Sequence, residues 1–184
     1  MSVSHRPRLS RFRLRVLTPA TTDVLKMEAQ LPILYGDSAL EIPGARSLID
    51  ALISSKAPWA VVTSGTDPLV RGWFRTLSLS LPDALVTAES VQEGKPHPAC
   101  FLLGREKLGM GDREKNILVL EDSPAGIKAG KAAGCKVVGL VTSHTVEQVV
   151  AAGPDWVVKD LDSVRVKEVK DGVTTLEFLD TWSA

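Results

Sequence analysis

The chain has 184 residues and a formal net charge of zero at pH 7, and this length suffices for one α/β domain with a buried core. Hydrophobic residues make up 44% and charged residues 24% of the sequence, a balance that is typical of globular proteins and argues against intrinsic disorder. No apolar run approaches the roughly 18 residues that a membrane-spanning helix needs. The two cysteines, Cys100 and Cys135, are too few for a disulfide scaffold and predict a reducing compartment, the cytoplasm.

The zero net charge hides an uneven distribution along the chain. Residues 1–22 contain five arginines and no acidic residue, so the remainder is mildly acidic, which argues against nucleic acid as a partner. The Arg-rich head is compatible with a mitochondrial transit peptide, with a solvated tail or with an incorrectly assigned start. Within the head, the alternation in RFRLRVL predicts a strand at the edge of a sheet.

From residue 40 onward, short apolar runs alternate with helical patterns. The patterns predict helices over residues 43–54, 68–77, 99–109, 124–134 and 146–153, and strands over residues 59–63, 83–91, 116–120, 136–141 and 155–159. Asp67 and Ser123 are predicted N-caps, each followed by a proline, and Thr145 with Gln148 predicts a capping box. Strands without polar alternation indicate a parallel sheet covered on both faces, so the predicted fold is a doubly wound α/β domain.

Polar residues gather where the predicted strands end, which is the edge at which open parallel sheets bind ligands. The residues that share this position are Thr63, Ser64, Gly65, Lys95, Glu121 and Asp122. A hydroxyl beside backbone N–H groups, a cation and adjacent carboxylates are together suited to a phosphate and Mg²⁺. Each element also has a structural explanation, because 63–66 can be an ordinary turn, Lys95 a solvated lysine, and Glu121–Asp122 a favourable pair at a helix start.

Four stretches carry a resemblance to a known family: EIPGARSLIDAL, APWAVVTSGT, EGKPHPACFLLG and ILVLEDSPAGIKAGKAAG. The sequence resembles the haloacid dehalogenase-type phosphohydrolases over about residues 26–160. Within them it is similar to the fungal phosphatases of small phosphorylated sugars and polyols. The resemblance implies a Rossmann-like core, Mg²⁺ as cofactor and a small phosphorylated metabolite as substrate, without identifying that substrate or the oligomeric state.

The resemblance also implies a role for each matching residue. Thr63 would hydrogen-bond the transferring phosphoryl group, and Ser64 and Gly65 would add backbone donors. Lys95 would pair with the phosphate and with the nucleophilic carboxylate. Asp122, with Glu121 beside it, would hold Mg²⁺ directly or through water.

Similar enzymes carry an Asp-x-Asp pair at the end of their first strand, and this sequence has no such pair before Thr63. Asp23, Asp37 and Asp50 are not predicted to end a strand and are not replacements. The expectation is a chain without the family's first strand and most of its helical cap, divided into a basic segment (1–22), a cap remnant (23–42) and a core domain (43–184). The absent strand would leave a gap between the strands that end at Thr63 and Asp122.

Two functions follow from these observations. One is a Mg²⁺-dependent phosphatase of small phosphorylated sugars or polyols, such as glycerol phosphate. The other is a non-catalytic protein of the same fold that binds phosphate or a protein partner, because the nucleophile is missing. A serine hydrolase fits the sequence poorly, since VTSGT is not a nucleophile elbow. A zinc site is weakly supported, because neither cysteine has ligand-like spacing with a histidine. His97, between two prolines, is predicted to be an exposed loop residue.

Overall fold

The computed structural model describes residues 19–111 and 116–182, with side chains from residue 22 onward. The predicted edge strand in RFRLRVL and most of the basic segment lie outside the described residues. The division into segments 1–22, 23–42 and 43–184 remains a prediction, and the first helix begins at Pro19, within the first of them. No helix among the described residues is long and apolar enough to span a membrane.

Helices and strands alternate along most of the chain, as predicted. The α-helices are α1 (Pro19–Tyr35), α2 (Ala45–Ser54), α3 (Asp67–Thr76), α4 (Ala99–Lys107), α5 (Pro124–Ala132) and α6 (Val146–Ala151). The strands are β1 (Ala60–Val62), β2 (Ala84–Val86), β3 (Leu118–Glu121), β4 (Lys136–Leu140), β5 (Trp156–Val158), β6 (Val164–Lys170) and β7 (Val173–Phe178). Short 3-10 turns lie at Gly36–Ser38, Ala88–Ser90 and Leu161–Ser163.

The parallel α/β architecture is confirmed, with its strands divided between two sheets. β1 pairs with β2, and β3, β4 and β5 form a three-stranded sheet in that order, all parallel. Successive residues of β4 point to opposite faces, so Val137 packs with Ile127 on one side and Val138 packs with Leu48 on the other. Both faces are therefore covered, which explains why the strands are apolar without alternation.

A cavity of about 870 Å³ separates the two parallel sheets. It is lined by apolar side chains of β1 and β3, including Val61 and Leu118, and by Leu52 and Phe101 from helices on either side. Within the described residues, β1 and β3 are not paired with each other, and each presents a strand edge at this place. The cavity thus lies where the sequence predicted a gap, and the absence of a family strand there remains a prediction.

The strand predicted over residues 155–159 is confirmed as β5, but it is not the last strand of the chain. β6 and β7 follow as an antiparallel hairpin, with Val164 paired with Phe178 and Lys170 paired with Val173. The connecting residues, Asp171 and Gly172, both have positive φ, at 51° and 76°. An Asp-Gly pair between alternating apolar residues is a strong hairpin signal, so the sequence contained the information.

Helix starts differ from the predictions by one or two residues at two sites. Thr66, rather than Asp67, is the N-cap residue of α3, and Asp67 is its first helical residue. α2 begins at Ala45, because Gly44 adopts a φ of 81° and a Cβ there would lie 2.2 Å from the backbone of Asp162. The predicted caps of α5 and α6 are confirmed, and the Ser123 hydroxyl accepts the N–H of Gly126.

Asp155 anchors the start of β4, and its contribution to the stability of the fold is expected to depend on pH. Burial alone would raise the pKa of its carboxyl, but hydrogen bonds from Lys131, Lys136 and the Val137 N–H hold that pKa well below its usual range. The depressed pKa means that the stabilisation is present above about pH 4 and is lost as the pH falls through the folded value. At pH 7 we expect Asp155→Ala to lower the free energy of unfolding by about 2 kcal/mol.

Urea unfolding of the wild type and of Asp155→Ala between pH 3 and pH 7 measures this contribution. The exposed Glu106, changed to Gln, serves as the control and should leave the unfolding free energy unchanged. A difference in unfolding free energy between the wild type and Asp155→Ala that grows as the pH falls would contradict the lowered pKa of Asp155.

Candidate functional site

The carboxyl ends of β1 and β3 bring the predicted site residues to one edge of the fold. Thr63 directly follows β1, Glu121 is the last residue of β3, and Asp122 follows it. Lys95 lies in the loop between β2 and α4, and its Nζ contacts the carbonyl of Val62, the residue before Thr63, at 3.3 Å. The same ammonium forms an ion pair with Glu121. Lys95 therefore joins the ends of the two sheets.

The loop after β1 is held by backbone hydrogen bonds. The Thr63 N–H donates to the Val86 carbonyl at 2.9 Å, and the Gly65 carbonyl accepts the Ala88 N–H at 3.0 Å. The Gly65 N–H, predicted as a phosphate donor, instead donates to Thr63 Oγ1 at 3.0 Å. Thr63 is half-buried and Ser64 is exposed. A phosphate bound by Gly65 would therefore have to replace the turn formed with Thr63.

Lys95 is not a solvated surface lysine, which was the alternative that the sequence left open. Its side chain is only 10% exposed, and its ammonium lies 5.2 Å from the centroid of the Phe101 ring. An ammonium has three donors, and within the described residues two of them are used, by Val62 and Glu121. Among these residues the third donor has no acceptor, so it is available for a further hydrogen bond.

Glu121 is buried between Lys95 and the N-terminus of α5. One carboxylate oxygen accepts from Lys95, and the other accepts from both the N–H and the hydroxyl of Ser123, each at 3.0 Å. Gly126, in the first turn of α5, has no room for a side chain, since a Cβ would lie 2.0 Å from the Glu121 carboxyl carbon. The Glu121 carboxylate thus compensates the Lys95 charge and also ties α5 to β3.

Asp122 is the more accessible of the two adjacent carboxylates. It is half-buried, and one of its oxygens lies 3.3 Å from the Thr142 hydroxyl in the loop after β4. Among the described residues, no group of three or more His, Cys, Asp and Glu side chains could hold a metal ion. Mg²⁺ commonly takes one or two carboxylates and fills its shell with water and phosphate oxygens, so the donor set fits Mg²⁺ bound through Asp122.

The aspartates before Thr63 do not supply a nucleophile in the described structure. Asp23, Asp37 and Asp50 are all exposed, and none contacts Lys95. An Asp-x-Asp spacing occurs only later, at Asp160 and Asp162 after β5. There the Asp160 carboxylate accepts the Asp162 N–H and caps a 3-10 turn, two strands away from β3.

Among the described residues, His97 and the two cysteines form no hydrogen bond or ion pair with Thr63, Lys95, Glu121 or Asp122. His97 is exposed, as predicted, and its Nε2 lies 3.4 Å from Glu93. Cys100 and Cys135 are buried and unpaired, and burial raises the pKa of both thiols.

The sequence did not reveal two glutamates, Glu28 and Glu89, whose carboxylates contact the backbone just after Gly65.

Comparisons with known proteins agree with the geometry. A family model described as haloacid dehalogenase-like hydrolase matches residues 8–134. The chain is 41% identical to glycerol-1-phosphate phosphohydrolase 2 of Saccharomyces cerevisiae over 162 residues, which cover 85% of this chain and 65% of the yeast protein. It is 36% identical to 2-deoxyglucose-6-phosphate phosphatase 1 of the same yeast over 166 residues, which cover 82% of this chain and 68% of that protein.

Solved structures give the same result. The crystal structure of a hydrolase from Pseudomonas syringae matches with a TM-score of 0.66 and 25% identity, covering 79% of this chain and 70% of that one. The chain spans 65% of the length of the glycerol-1-phosphate phosphohydrolase, so it corresponds to part of that relative. From the family-model match, the sequence identity and the shared fold, we conclude that the chain belongs to the haloacid dehalogenase-like hydrolase family.

Proposed function

We propose that Thr63, Lys95, Glu121 and Asp122 form the phosphoryl half-site of a Mg²⁺-dependent phosphatase for small phosphorylated sugars or polyols. The observation that carries the proposal is the largely buried Lys95 ammonium, which lies at the ends of β1 and β3 with one donor available among the described residues. The names of the yeast relatives, which refer to glycerol 1-phosphate and 2-deoxyglucose 6-phosphate, support the substrate class.

The half-site would hold the phosphoryl group by charge and hydrogen bonds. Lys95 neutralises negative charge on the phosphate oxygens, while the Thr63 hydroxyl fixes the orientation of the group. Phosphoryl transfer depends mainly on such positioning and charge stabilisation, so these residues would contribute to both binding and rate. Glu121 already compensates the Lys95 charge, so Lys95 would act mainly through its remaining N–H donor, whose hydrogen bond to an anion is screened little by water at this low exposure.

Asp122 would hold Mg²⁺ together with phosphate oxygens and water. When bound, the metal ion neutralises the charge that builds up on the phosphoryl oxygens. Glu121 would have a different role from Asp122, because its oxygens already accept hydrogen bonds from Lys95 and Ser123. It orients the Lys95 ammonium, and any contact with the metal would require one of these hydrogen bonds to be exchanged.

Turnover requires a carboxylate nucleophile beside Lys95, and within the described residues the only carboxylate there is Glu121. The 184-residue chain therefore has a second candidate function, binding of a phosphate monoester without hydrolysis. The pairing of Lys95 with Glu121 favours it, because a carboxylate held by three donors is a poor nucleophile.

A cytoplasmic location is proposed, supported by the two unpaired cysteines.

The test combines phosphate release with phosphate binding for the wild type and Asp122→Ala. With glycerol 1-phosphate and Mg²⁺, the phosphatase function predicts phosphate release by the wild type, and the second candidate, binding without hydrolysis, predicts none. We expect Mg²⁺ to strengthen inorganic phosphate binding about tenfold in the wild type and not in Asp122→Ala. Release that disappears in Asp122→Ala would show that the chain holds its own nucleophile, and an absent Mg²⁺ effect would contradict the role of Asp122.

A further inference from the structure

The N-terminus of α3 follows directly after the Thr63–Gly65 turn, and its own side chains leave it incompletely capped. Thr66 is the N-cap residue, but its side chain makes no capping hydrogen bond. In a capping box, a Glu or Gln at the third helical position accepts the N–H of the N-cap residue. The third helical residue here is Leu69, which has no polar group, so the helix needs an acceptor from elsewhere in the fold.

Two glutamates from other elements supply these acceptors. Glu28 of α1 accepts the Thr66 N–H at 3.1 Å, although the two residues are 38 positions apart in the sequence. Glu89, in the 3-10 turn after β2, accepts the Asp67 N–H at 3.1 and 3.2 Å. Carboxylates are favourable at this end of a helix, because the unpaired N–H groups give it a partial positive charge.

α1 is packed closely enough on α3 to hold Glu28 in place. A Cβ on Gly72 of α3 would lie 2.6 Å from the ring of Pro32, which is buried in α1. The Thr76 hydroxyl approaches the Pro32 carbonyl at 3.5 Å, and a Cβ on Gly36 would lie 2.7 Å from Thr76 Cγ2. The small residues thus bring the two backbones together, and the position of α1 determines the position of the Glu28 carboxylate.

We propose that Glu28 is a positioning residue for the phosphate-binding loop: by holding the Thr66 N–H, it fixes the end of the 63–66 segment relative to Lys95. The other anchors of this segment, through Val86 and Ala88, come from β2 and the turn after it. Glu28 is the anchor that α1 provides among the described residues. The inference rests on the proposed function, in that it assigns this segment to phosphate binding.

The test uses the full chain with Glu28→Ala, which removes the acceptor, and Glu28→Gln, which keeps an acceptor oxygen but removes the charge. The exposed Gln30 of the same helix, changed to Ala, is the matched control. We expect Glu28→Ala to accelerate hydrogen exchange of the Thr66 amide about tenfold and to weaken inorganic phosphate binding about fivefold. Glu28→Gln should restore both values, and Gln30→Ala should change neither.

Thermal unfolding of the same variants separates positioning from general stability. A loss of phosphate affinity in Glu28→Ala that Glu28→Gln does not restore would overturn the proposal. A parallel loss of phosphate affinity and melting temperature in Gln30→Ala would overturn it too, because the effect would then reflect general stability. Unchanged Thr66 exchange in Glu28→Ala would overturn it as well. If the wild type binds no phosphate, the proposed function fails. Faster hydrogen exchange of the Thr66 amide in Glu28→Ala would then still show that Glu28 anchors this amide.

Discussion

Gly126→Ala is expected to lower the free energy of unfolding by about 3 kcal/mol, one of the two largest effects of a single substitution. The added methyl group would lie 2.0 to 2.3 Å from three atoms of the Glu121 carboxylate. Either α5 moves away from β3, or Glu121 leaves its contacts with Lys95 and Ser123. Both responses disturb the buried ion pair, and the second leaves charges without partners in a region of low dielectric constant. Chemical denaturation of both proteins measures the change.

Gly111→Ala is the control for this substitution. Among the residues that the structure describes, a Cβ at Gly111 would meet nothing within 4 Å, and Gly111 does not have the positive φ that would make alanine strained. We expect its unfolding free energy to equal that of the wild type within a few tenths of a kcal/mol. Equal stability of Gly126→Ala and the wild type would contradict the close approach of α5 to Glu121.

Lys95→Met is expected to cost about 3 kcal/mol of unfolding free energy, because it leaves the Glu121 carboxylate buried without its cation. The side chains of Lys95 and Glu121 are 10% and 7% exposed, so water compensates little of the loss. The double variant Lys95→Met/Glu121→Gln removes both charges and keeps an amide that can still bond to Ser123. It should recover most of the stability, since replacing a buried pair costs less than breaking it.

A double-mutant cycle at these two positions measures the interaction directly. Arg71→Met is the control, because Arg71 forms an exposed ion pair with Asp67 at 2.9 Å whose side chains are 53% and 46% exposed. Exposed pairs of this kind contribute little to stability, so the control should lose less than about 1 kcal/mol. Additive effects of the changes at Lys95 and Glu121 would show that the two side chains do not interact in the folded protein.

The sequence predicted most of the elements because local chemistry determines them. Ser123 followed by Pro124 marks the start of α5, and the unbroken apolar run of β4 reflects a strand with both faces covered. The helix starts near residues 43 and 67 were misplaced, since several neighbouring residues can serve as a cap. In α2 the deciding factor was the contact of Gly44 with Asp162, which a local pattern does not contain.

The sequence predicted which residues of the candidate site lie at one edge of the fold, but it did not predict all of their hydrogen bonds. Thr63, Lys95, Glu121 and Asp122 meet at one edge because parallel strands present their carboxyl ends together. The sequence offered Glu121 as a metal ligand, whereas in the structure its oxygens accept from Lys95 and Ser123. The choice between these partners depends on where the β2–α4 loop places the ammonium, and that placement is a property of the tertiary structure.

The central claim is that Lys95 and its neighbours bind the phosphoryl group of a small phosphate ester. Titration calorimetry with glycerol 1-phosphate and Mg²⁺ tests it most directly, comparing the wild type with Lys95→Met/Glu121→Gln, which should remain folded. We expect binding by the wild type and an affinity at least about tenfold lower in the double variant, because a charge-assisted hydrogen bond is lost. Equal affinities, with both proteins shown to be folded by circular dichroism, would contradict the claim.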